Sequence, residues 1–202
     1  MGLFSGRRSG DTPPEWIVLG LGNPGDRYAN TRHNVGDDAV RLVGERVNAT
    51  FKAGKSEAFV SESRIADLRC VLAIPVTFMN ESGRAAASLV KRFGLTDSSR
   101  LIVVHDELDL EPGDTRLKMG GGLAGHNGLK SIAQHLGTRD FLRVRIGVGR
   151  PPSADRGADW VLSKISQRSR AELDIGVVSA ADAIELVVSD GVENAMQSVN
   201  RR

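Results

Sequence analysis

The sequence contains almost no cysteine and no long hydrophobic run. Cys70 is the only cysteine among 202 residues, which excludes an intrachain disulfide and a cysteine-based zinc cluster. It lies in the apolar run 68–74, so we expect it in the core rather than at a reaction centre. No hydrophobic stretch approaches the roughly 20 residues that a membrane-spanning helix needs.

The beginning of the chain has no apolar segment either. Residues 1–13 read MGLFSGRRSGDTP and lack the hydrophobic core of a signal peptide. We interpret 1–13 as a disordered basic extension and 14–202 as a single domain. A cytoplasmic location is therefore expected.

The overall charge is nearly balanced at +2, but its distribution along the chain is uneven. Residues 139–170 contain eight basic and three acidic side chains, whereas 171–195 contain six acidic and no basic ones. This asymmetry favours an edge that faces a polyanion beside an acidic helix. An ordinary solvated surface accounts for the charges about equally well.

Signatures of a protein nucleophile and of a metal site are absent. The chain has no G-x-S-x-G elbow, and its four histidines show no ligand spacing such as H-E-x-x-H. We expect no metal and no cofactor, and water as the nucleophile. The segment 20–25 matches the dinucleotide pattern G-x-G-x-x-G, but Pro24 removes a backbone N–H and no helical pattern starts at the third glycine.

Strand-like and helix-like segments alternate along the chain, which predicts an α/β domain with a mostly parallel or mixed sheet. Apolar, β-branched runs predict strands, and apolar residues at helical spacing predict the helices between them. A capping box at 169–172 predicts the start of a long helix. The predicted strands are 16–21, 51–61, 68–74, 101–104, 115–118 and 141–149.

Polar residues follow several of these predicted strands. Asn23, Asn80 and Asn127 come from three separate loops, the first of which continues to His33, and Asp106 ends another strand. Since ligands bind at the carboxyl ends of strands in α/β sheets, we expect these groups to meet. A neutral histidine oriented by an aspartate is a suitable general base, and carboxamides suit the N–H and C=O groups of a peptide.

Basic residues and glycines lie close to these clusters. Lys118, Arg143 and Arg145 would suit phosphate, and the alternation in 141–149 predicts that both arginines project from one half-exposed face. The glycine-rich stretch 120–125 supplies bare backbone where a large ligand could pass. A carbonyl-cleaving pocket beside a strip of phosphate-binding residues indicates an acyl or peptidyl ester of a nucleic acid as the substrate.

Four long motifs follow one another along the chain. They are GLGNPGDRYANTRHNVG (20–36), PVTFMNESG (75–83), HDELDLEPGDTRLKMGGGLAGHNGLKSI (105–132) and FLRVRIGVGRP (141–151). In this order they resemble the motifs of bacterial peptidyl-tRNA hydrolases, and the resemblance extends from residue 16 to about residue 200. The resemblance implies a monomeric, metal-free α/β domain with a twisted mixed sheet flanked by helices. It also implies hydrolysis of the ester that joins a peptide to the 3′ end of tRNA.

The resemblance also implies roles for individual residues. His33 would be the general base, Asp106 its orienting partner, and Asn23 the residue that distinguishes N-blocked substrates from free aminoacyl-tRNA. The loop 120–125 and the helix near 169–188 would cover the cleft. The peptide and the tRNA 3′ end would be held by Tyr28, Phe78, Asn80 and Asn127. Met79 would line the same channel. Lys118 and Arg145 would hold a tRNA phosphate.

Two other functions remain possible alternatives at this point. A non-catalytic RNA-binding protein on the same fold would keep the basic residues but could lose the histidine, aspartate and asparagines. A nucleotide-dependent oxidoreductase would rest on the glycine pattern 20–25 alone. The presence of the complete polar set favours the enzyme.

Overall fold

The computed structural model describes residues 12–153 and 156–201, so the predicted extension 1–13 lies almost entirely outside the described residues. They form one seven-stranded mixed sheet with helices on both faces. The strands are β1 Trp16–Gly20, β2 Lys52–Ala53, β3 Ala58–Ile65, β4 Leu68–Pro75, β5 Leu101–Glu107, β6 Thr115–Met119 and β7 Leu142–Gly147. The α-helices are α1 Val35–Arg46, α2 Ser82–Phe93, α3 Asn127–Leu136, α4 Gly157–Leu162, α5 Gln167–Asp190 and α6 Val192–Asn200.

The centre of the sheet is parallel and both edges are antiparallel. The strand order is β2-β3-β4-β1-β5-β7-β6, with parallel pairing from β4 through β1 and β5 to β7. β1 and β5 are buried along their whole length, as expected for parallel strands covered on both faces. The predicted α/β fold with a mixed sheet flanked by helices is confirmed.

Alternate residues of the central strands pack into two apolar cores. Val18 of β1 lies in the core formed with α1, α5 and α6, and Ile17 and Leu19 lie in the core formed with α2 and α3. The helices therefore complete a three-layer arrangement.

The β3–β4 hairpin is tighter than the sequence predicts. The predicted strands 51–61 and 68–74 leave residues 62–67 between them, but β3 continues to Ile65, and Ala66 and Asp67 alone form the loop. Their φ angles of 48° and 62° are those of a two-residue turn whose twist matches the strands. The prediction failed because neither residue is the glycine or asparagine typical of such turns.

The long helix α5 begins earlier than its predicted capping box. Ser166 is the N-cap, and its hydroxyl accepts a hydrogen bond from the backbone N–H of Ser169. The predicted cap, Ser169, is instead the third residue of the helix. The apolar face of α5 packs into the core, so α5 supports the sheet rather than covering a cleft.

At the β6 edge of the sheet, the side chain of Asn200 bonds to the backbone of the edge strand. Asn200 at the end of α6 accepts from the backbone N–H of Leu117 and donates to its carbonyl, each at 2.9 Å. The carboxamide thus substitutes for a neighbouring strand on β6 and protects an edge that could pair with another chain. Over the described part of the chain, no helix has the length and hydropathy required to span a membrane.

Candidate active site

Three of the predicted polar residues lie at the carboxyl ends of the parallel strands. Asn23 follows β1, Asn80 follows β4, and Asp106 is the penultimate residue of β5. His33 comes from a short 3-10 helix, Arg32–Asn34, that leads directly into α1. This edge is where ligands bind in α/β sheets.

A close helix–strand contact brings His33 to Asp106. A Cβ added at Gly36, in the first turn of α1, would lie 2.3 Å from the carbonyl oxygen of Val104 in β5. Only glycine fits this approach, which holds the start of α1 directly against the sheet. His33 Nδ1 then lies 2.8 Å from Asp106 Oδ1.

A second histidine, His126, contacts the same carboxylate oxygen. Its Nε2 lies 3.0 Å from Asp106 Oδ1, and its ring centroid is 5.0 Å from that of His33. Its Nδ1 accepts hydrogen bonds from the backbone N–H groups of Gly128 and Leu129, so His126 is the N-cap of α3. His126 was not among the predicted site residues. Its position between Gly125 and the start of a predicted helix is the only signal that could have identified it.

These contacts determine where the hydrogens lie. Burial by itself would raise the pKa of Asp106, but the two histidine rings beside its carboxylate hold that pKa well below its usual range. An ionised carboxylate only accepts, so His33 Nδ1 and His126 Nε2 both donate to it. The imidazole of His33 therefore keeps its lone pair on Nε2.

The pKa of His33 reflects two opposing effects. Burial disfavours the charged imidazolium, but the negative charge of Asp106 and its hydrogen bond outweigh burial and raise the pKa of His33 above its ordinary value. A neutral histidine with a raised pKa is a stronger proton acceptor, which is the property that a general base requires.

Asn23 is fixed by three hydrogen bonds. Its backbone N–H donates to Asn34 Oδ1 and its carbonyl accepts from Asn34 Nδ2, both at 2.9 Å. Its side-chain Oδ1 accepts from the backbone N–H of Met79 at 2.8 Å. Within 12–153 and 156–201, Asn23 Nδ2 has no hydrogen-bond acceptor, so this donor is available to a ligand. Asn34 was not among the predicted site residues, although it directly follows His33.

The residues predicted to hold the peptide lie in different environments. Tyr28 and Phe78 form an edge-to-face pair with ring centroids 6.2 Å apart, and Phe78 is 51% exposed. Asn80 is exposed, and Asn127, exposed as well, is the first residue of α3. Met79 differs from these because it is 4% exposed and packs in the core with α2 and α3.

Comparison with known proteins connects this geometry to one family. The family model described as peptidyl-tRNA hydrolase matches residues 17–202. The chain is 50% identical over 187 residues to a peptidyl-tRNA hydrolase of Frankia casuarinae, with 93% of each chain covered. It is 50% identical over 185 residues to a peptidyl-tRNA hydrolase of Mycobacterium marinum, covering 91% of this chain and 96% of that one.

Solved structures agree with these sequence relatives. The crystal structure of peptidyl-tRNA hydrolase from Acinetobacter baumannii superposes with a TM-score of 0.86 at 34% identity, covering 96% of this chain and 97% of that chain. The chain belongs to the peptidyl-tRNA hydrolase family. The predicted family is thereby confirmed.

The cleft of this family member is a cavity of about 350 Å³ beside His33 and Asp106. Its far side is formed by α4, which contributes Gly157, Ala158 and Val161, and by residues 124–127. The guanidinium of Arg32 stacks on Trp160, with its carbon 3.7 Å from the ring centroid. This contact packs α4 against the 3-10 helix that carries His33. The helix beside the cleft is thus α4, and not the helix near 169–188 that was predicted to cover it. Residues 124 and 125 of the predicted glycine loop do line the cleft.

The predicted phosphate pair lies on the neighbouring antiparallel strands β6 and β7. Lys118 is exposed, and Arg145 donates through Nε to Glu107 Oε2 at 3.0 Å. The terminal nitrogens of Arg145 have no hydrogen-bond partner among the described residues. Arg143 lies on the same face, but it is only 1% exposed, contrary to the expected half-exposed strand. Its guanidinium donates to the carbonyls of Gly120 and Gly122, because the glycine loop folds back over it.

His33, Asp106 and His126 also form a group of three potential metal ligands whose donor atoms lie within 4.8 Å of one another. The two N···O separations of 2.8 and 3.0 Å are hydrogen-bond distances. Two ligands of a tetrahedral zinc ion, each at about 2.0–2.1 Å, would be roughly 3.3 Å apart. The group therefore has the geometry of a hydrogen-bonded triad.

Proposed function

We propose that this chain hydrolyses the ester between an N-blocked peptide and the 3′ end of tRNA, with His33 as the general base. The observation that carries the proposal is the hydrogen bond of 2.8 Å between His33 Nδ1 and the buried carboxylate of Asp106. It leaves His33 Nε2 with a lone pair beside a cavity large enough for the ester. Family membership supports the substrate class.

In the proposed reaction, water in the cavity loses a proton to His33 Nε2 while its oxygen attacks the ester carbonyl carbon. The imidazolium that forms is stabilised by Asp106. The tetrahedral intermediate then collapses, and the same proton passes from His33 to the departing 3′ oxygen of the ribose. The products are tRNA with a 3′ hydroxyl and a peptide carboxylic acid, which releases the second proton of the water to solvent and leaves as the carboxylate.

Asn23 Nδ2 is the proposed donor to the carbonyl region of the substrate. The hydrogen bond from Met79 N–H to Asn23 Oδ1 determines which end of the carboxamide is the free donor. A donor prepositioned in this way can stabilise the developing oxyanion or hold the amide of a blocked substrate. A free α-ammonium has no acyl carbonyl to accept such a bond, which would spare ordinary aminoacyl-tRNA.

The remaining substrate contacts belong to the same proposal. The exposed ring of Phe78, supported by Tyr28, offers an apolar surface for the peptide or the terminal base, and Asn80 and Asn127 offer polar contacts on either side. Met79, being buried, would contribute to the channel mainly through its main chain and the packing beneath it. Lys118 and Arg145 would hold a tRNA phosphate. We also propose that the protein is a monomer, which light scattering of the purified protein would test. Its proposed location is the cytoplasm.

The test is a hydrolysis assay on N-acetyl-aminoacyl-tRNA, with and without a chelator. The wild type is expected to release the acylated amino acid in both conditions. His33→Ala should lower kcat by at least about 10²-fold, in the range typical of general-base catalysis. His135→Ala is the matched control, because His135 Nδ1 is bonded within α3 to the carbonyl of Ser131.

Three results would count against the proposal. Near-normal turnover by His33→Ala would remove His33 as the base. Loss of activity with the chelator would indicate a metal at the triad. A folded wild type that binds tRNA without cleaving the ester would favour the alternative, a non-catalytic RNA-binding protein.

A further inference from the structure

The glycine loop, defined here as residues 120–125, is held by a buried arginine that has no carboxylate partner. Arg143 is 1% exposed and donates to the carbonyls of Gly120 and Gly122. Its Nε is buried without a partner, and no described carboxylate forms an ion pair with it. Buried charges in proteins are normally paired, since desolvation of an unpaired ion is strongly unfavourable. The missing negative charge is what a bound anion would supply.

A second cationic side chain, that of Lys118, lies beside the same loop. A Cβ added at Gly121 would lie 3.1 Å from Lys118 Cε, 3.5 Å from Lys118 Nζ and 3.4 Å from Arg143 Nη2. The residue has a φ of +86°, so a side chain is disfavoured by both conformation and space. Bare backbone thus lies directly beside two positively charged groups.

The loop also carries unused backbone donors. Gly120 N–H bonds to the carbonyl of Phe141, and His126 N–H to that of Leu123, but the N–H groups of residues 121–125 have no acceptor within the described residues. In a planar trans peptide the N–H points opposite to the C=O. Because Arg143 draws the carbonyls of Gly120 and Gly122 inward, the N–H groups of Gly121 and Leu123 point away from it.

The outer side of the loop is open. A Cβ added at Gly122 or Gly125 would meet nothing within 4 Å. The adjoining face of the paired strands β6 and β7 carries Arg143 and Arg145 on β7 and Lys118 on β6. Among the described residues, the one carboxylate that forms an ion pair with Lys118, Arg143 or Arg145 is Glu107, on Arg145. A negatively charged ligand is therefore favoured here.

We propose that the glycine loop is a phosphate-binding element for the RNA backbone, in which Lys118 and the N–H groups of Gly121 and Leu123 contact a phosphodiester and Arg143 positions the loop. Arg143 is a positioning residue that also adds its charge to the site. The inference rests on the proposed function, since it takes tRNA as the ligand. It adds a backbone-mediated contact to the two side chains already proposed.

The test measures binding of deacylated tRNA over a range of salt concentrations. Each phosphate neutralised contributes a slope of about one to the dependence of log Kd on log salt. Arg143→Met should reduce the slope by about one and weaken binding at least tenfold. Arg143→Lys should keep the slope but still weaken binding, because a lysine cannot bridge two carbonyls. Arg92→Met, at the opposite edge of the sheet, is the matched control.

A wild-type slope in Arg143→Met would overturn the proposal, since a purely structural arginine would leave the number of phosphate contacts unchanged. If that variant does not fold, the wild type decides by NMR. Titration with a deacylated acceptor-stem RNA should shift the amide resonances of Gly121 and Leu123, and unshifted resonances at saturation would overturn the proposal. Because the ligand is deacylated, these readouts are independent of ester cleavage, which tests the proposed function separately.

Discussion

At the scale of single residues, one carboxylate oxygen organises the site. Asp106 Oδ1 accepts from both His33 and His126, and so determines the hydrogen position of each ring. The motifs of the sequence predict His33 and Asp106 as partners, but the only sign of the second donor is the position of His126 just before a predicted helix. An N-cap histidine is unusual, since serine, threonine, aspartate and asparagine are the common caps. That is why His126 was not predicted.

The partnership with Asp106 predicts the pH dependence of the reaction. A general base works when neutral, so kcat/KM should rise with pH as His33 loses its proton, and the raised pKa of His33 places that rise above about 6.5. Asp106→Asn removes the negative charge, so the rise should move to lower pH. The plateau should fall by roughly 10²–10⁴-fold. The profile is measured on N-acetyl-aminoacyl-tRNA, and a rise that stays at the wild-type pH would contradict the coupling.

Two substitutions at Asn23 separate its Nδ2 donor for the substrate from its Oδ1 acceptor for Met79. Asn23→Asp keeps an acceptor for the N–H of Met79 but loses the Nδ2 donor, whereas Asn23→Ala loses both. We expect both variants to lower the rate on the blocked substrate by roughly 10²–10³-fold and to narrow the gap to free aminoacyl-tRNA. Only Asn23→Ala should also lose about 1 kcal/mol of stability. Unchanged selectivity in both variants would refute the role of the donor.

At the scale of elements, the sequence predicted the positions of the strands better than the burial of their side chains. The alternation in 141–149 places Arg143 and Arg145 on one face correctly, because side chains alternate along any strand. It cannot reveal that the glycine loop folds over Arg143 and buries it. That contact joins residues 21 positions apart through backbone carbonyls, which leave no pattern in the sequence.

The start of α5 offers a direct test of which serine caps the helix. Ser166→Ala removes the acceptor of the Ser169 N–H and should lower the free energy of unfolding by about 0.5–2 kcal/mol. Ser169→Ala keeps that backbone N–H and should lose less than half as much. Urea titration of both variants measures the difference. A larger loss in Ser169→Ala would restore the predicted capping box.

At the scale of the whole molecule, the fold class followed from the sequence because the central strands are continuous apolar runs and helical patterns separate them. Their order in the sheet did not follow. It depends on which crossovers pack, for example on the contact of Gly36 with Val104. The same packing buries the ionisable side chain of His105. This burial makes the stability of the whole domain depend on pH.

His105 should make the domain less stable in mild acid. It is 1% exposed, and burial, with the nearby His126, lowers its pKa to about 3. In the unfolded chain its pKa is about 6.5, so below that pH only the unfolded state takes up the proton. Stability should therefore fall by about 2 kcal/mol between pH 6.5 and 4.5 through this residue alone.

The variant His105→Asn isolates this effect, because asparagine can keep the donor to the carbonyl of Asp106, 2.7 Å from His105 Nδ1, and does not titrate. The raised pKa of His33 and the lowered pKa of Asp106 are common to both proteins. Stability linked to Asp106 is present above its unfolded pKa of about 3.9, outside this window. Urea unfolding at pH 6.5 and 4.5 should show a smaller loss in the variant, and equal losses would mean that His105 accepts a proton in the folded protein.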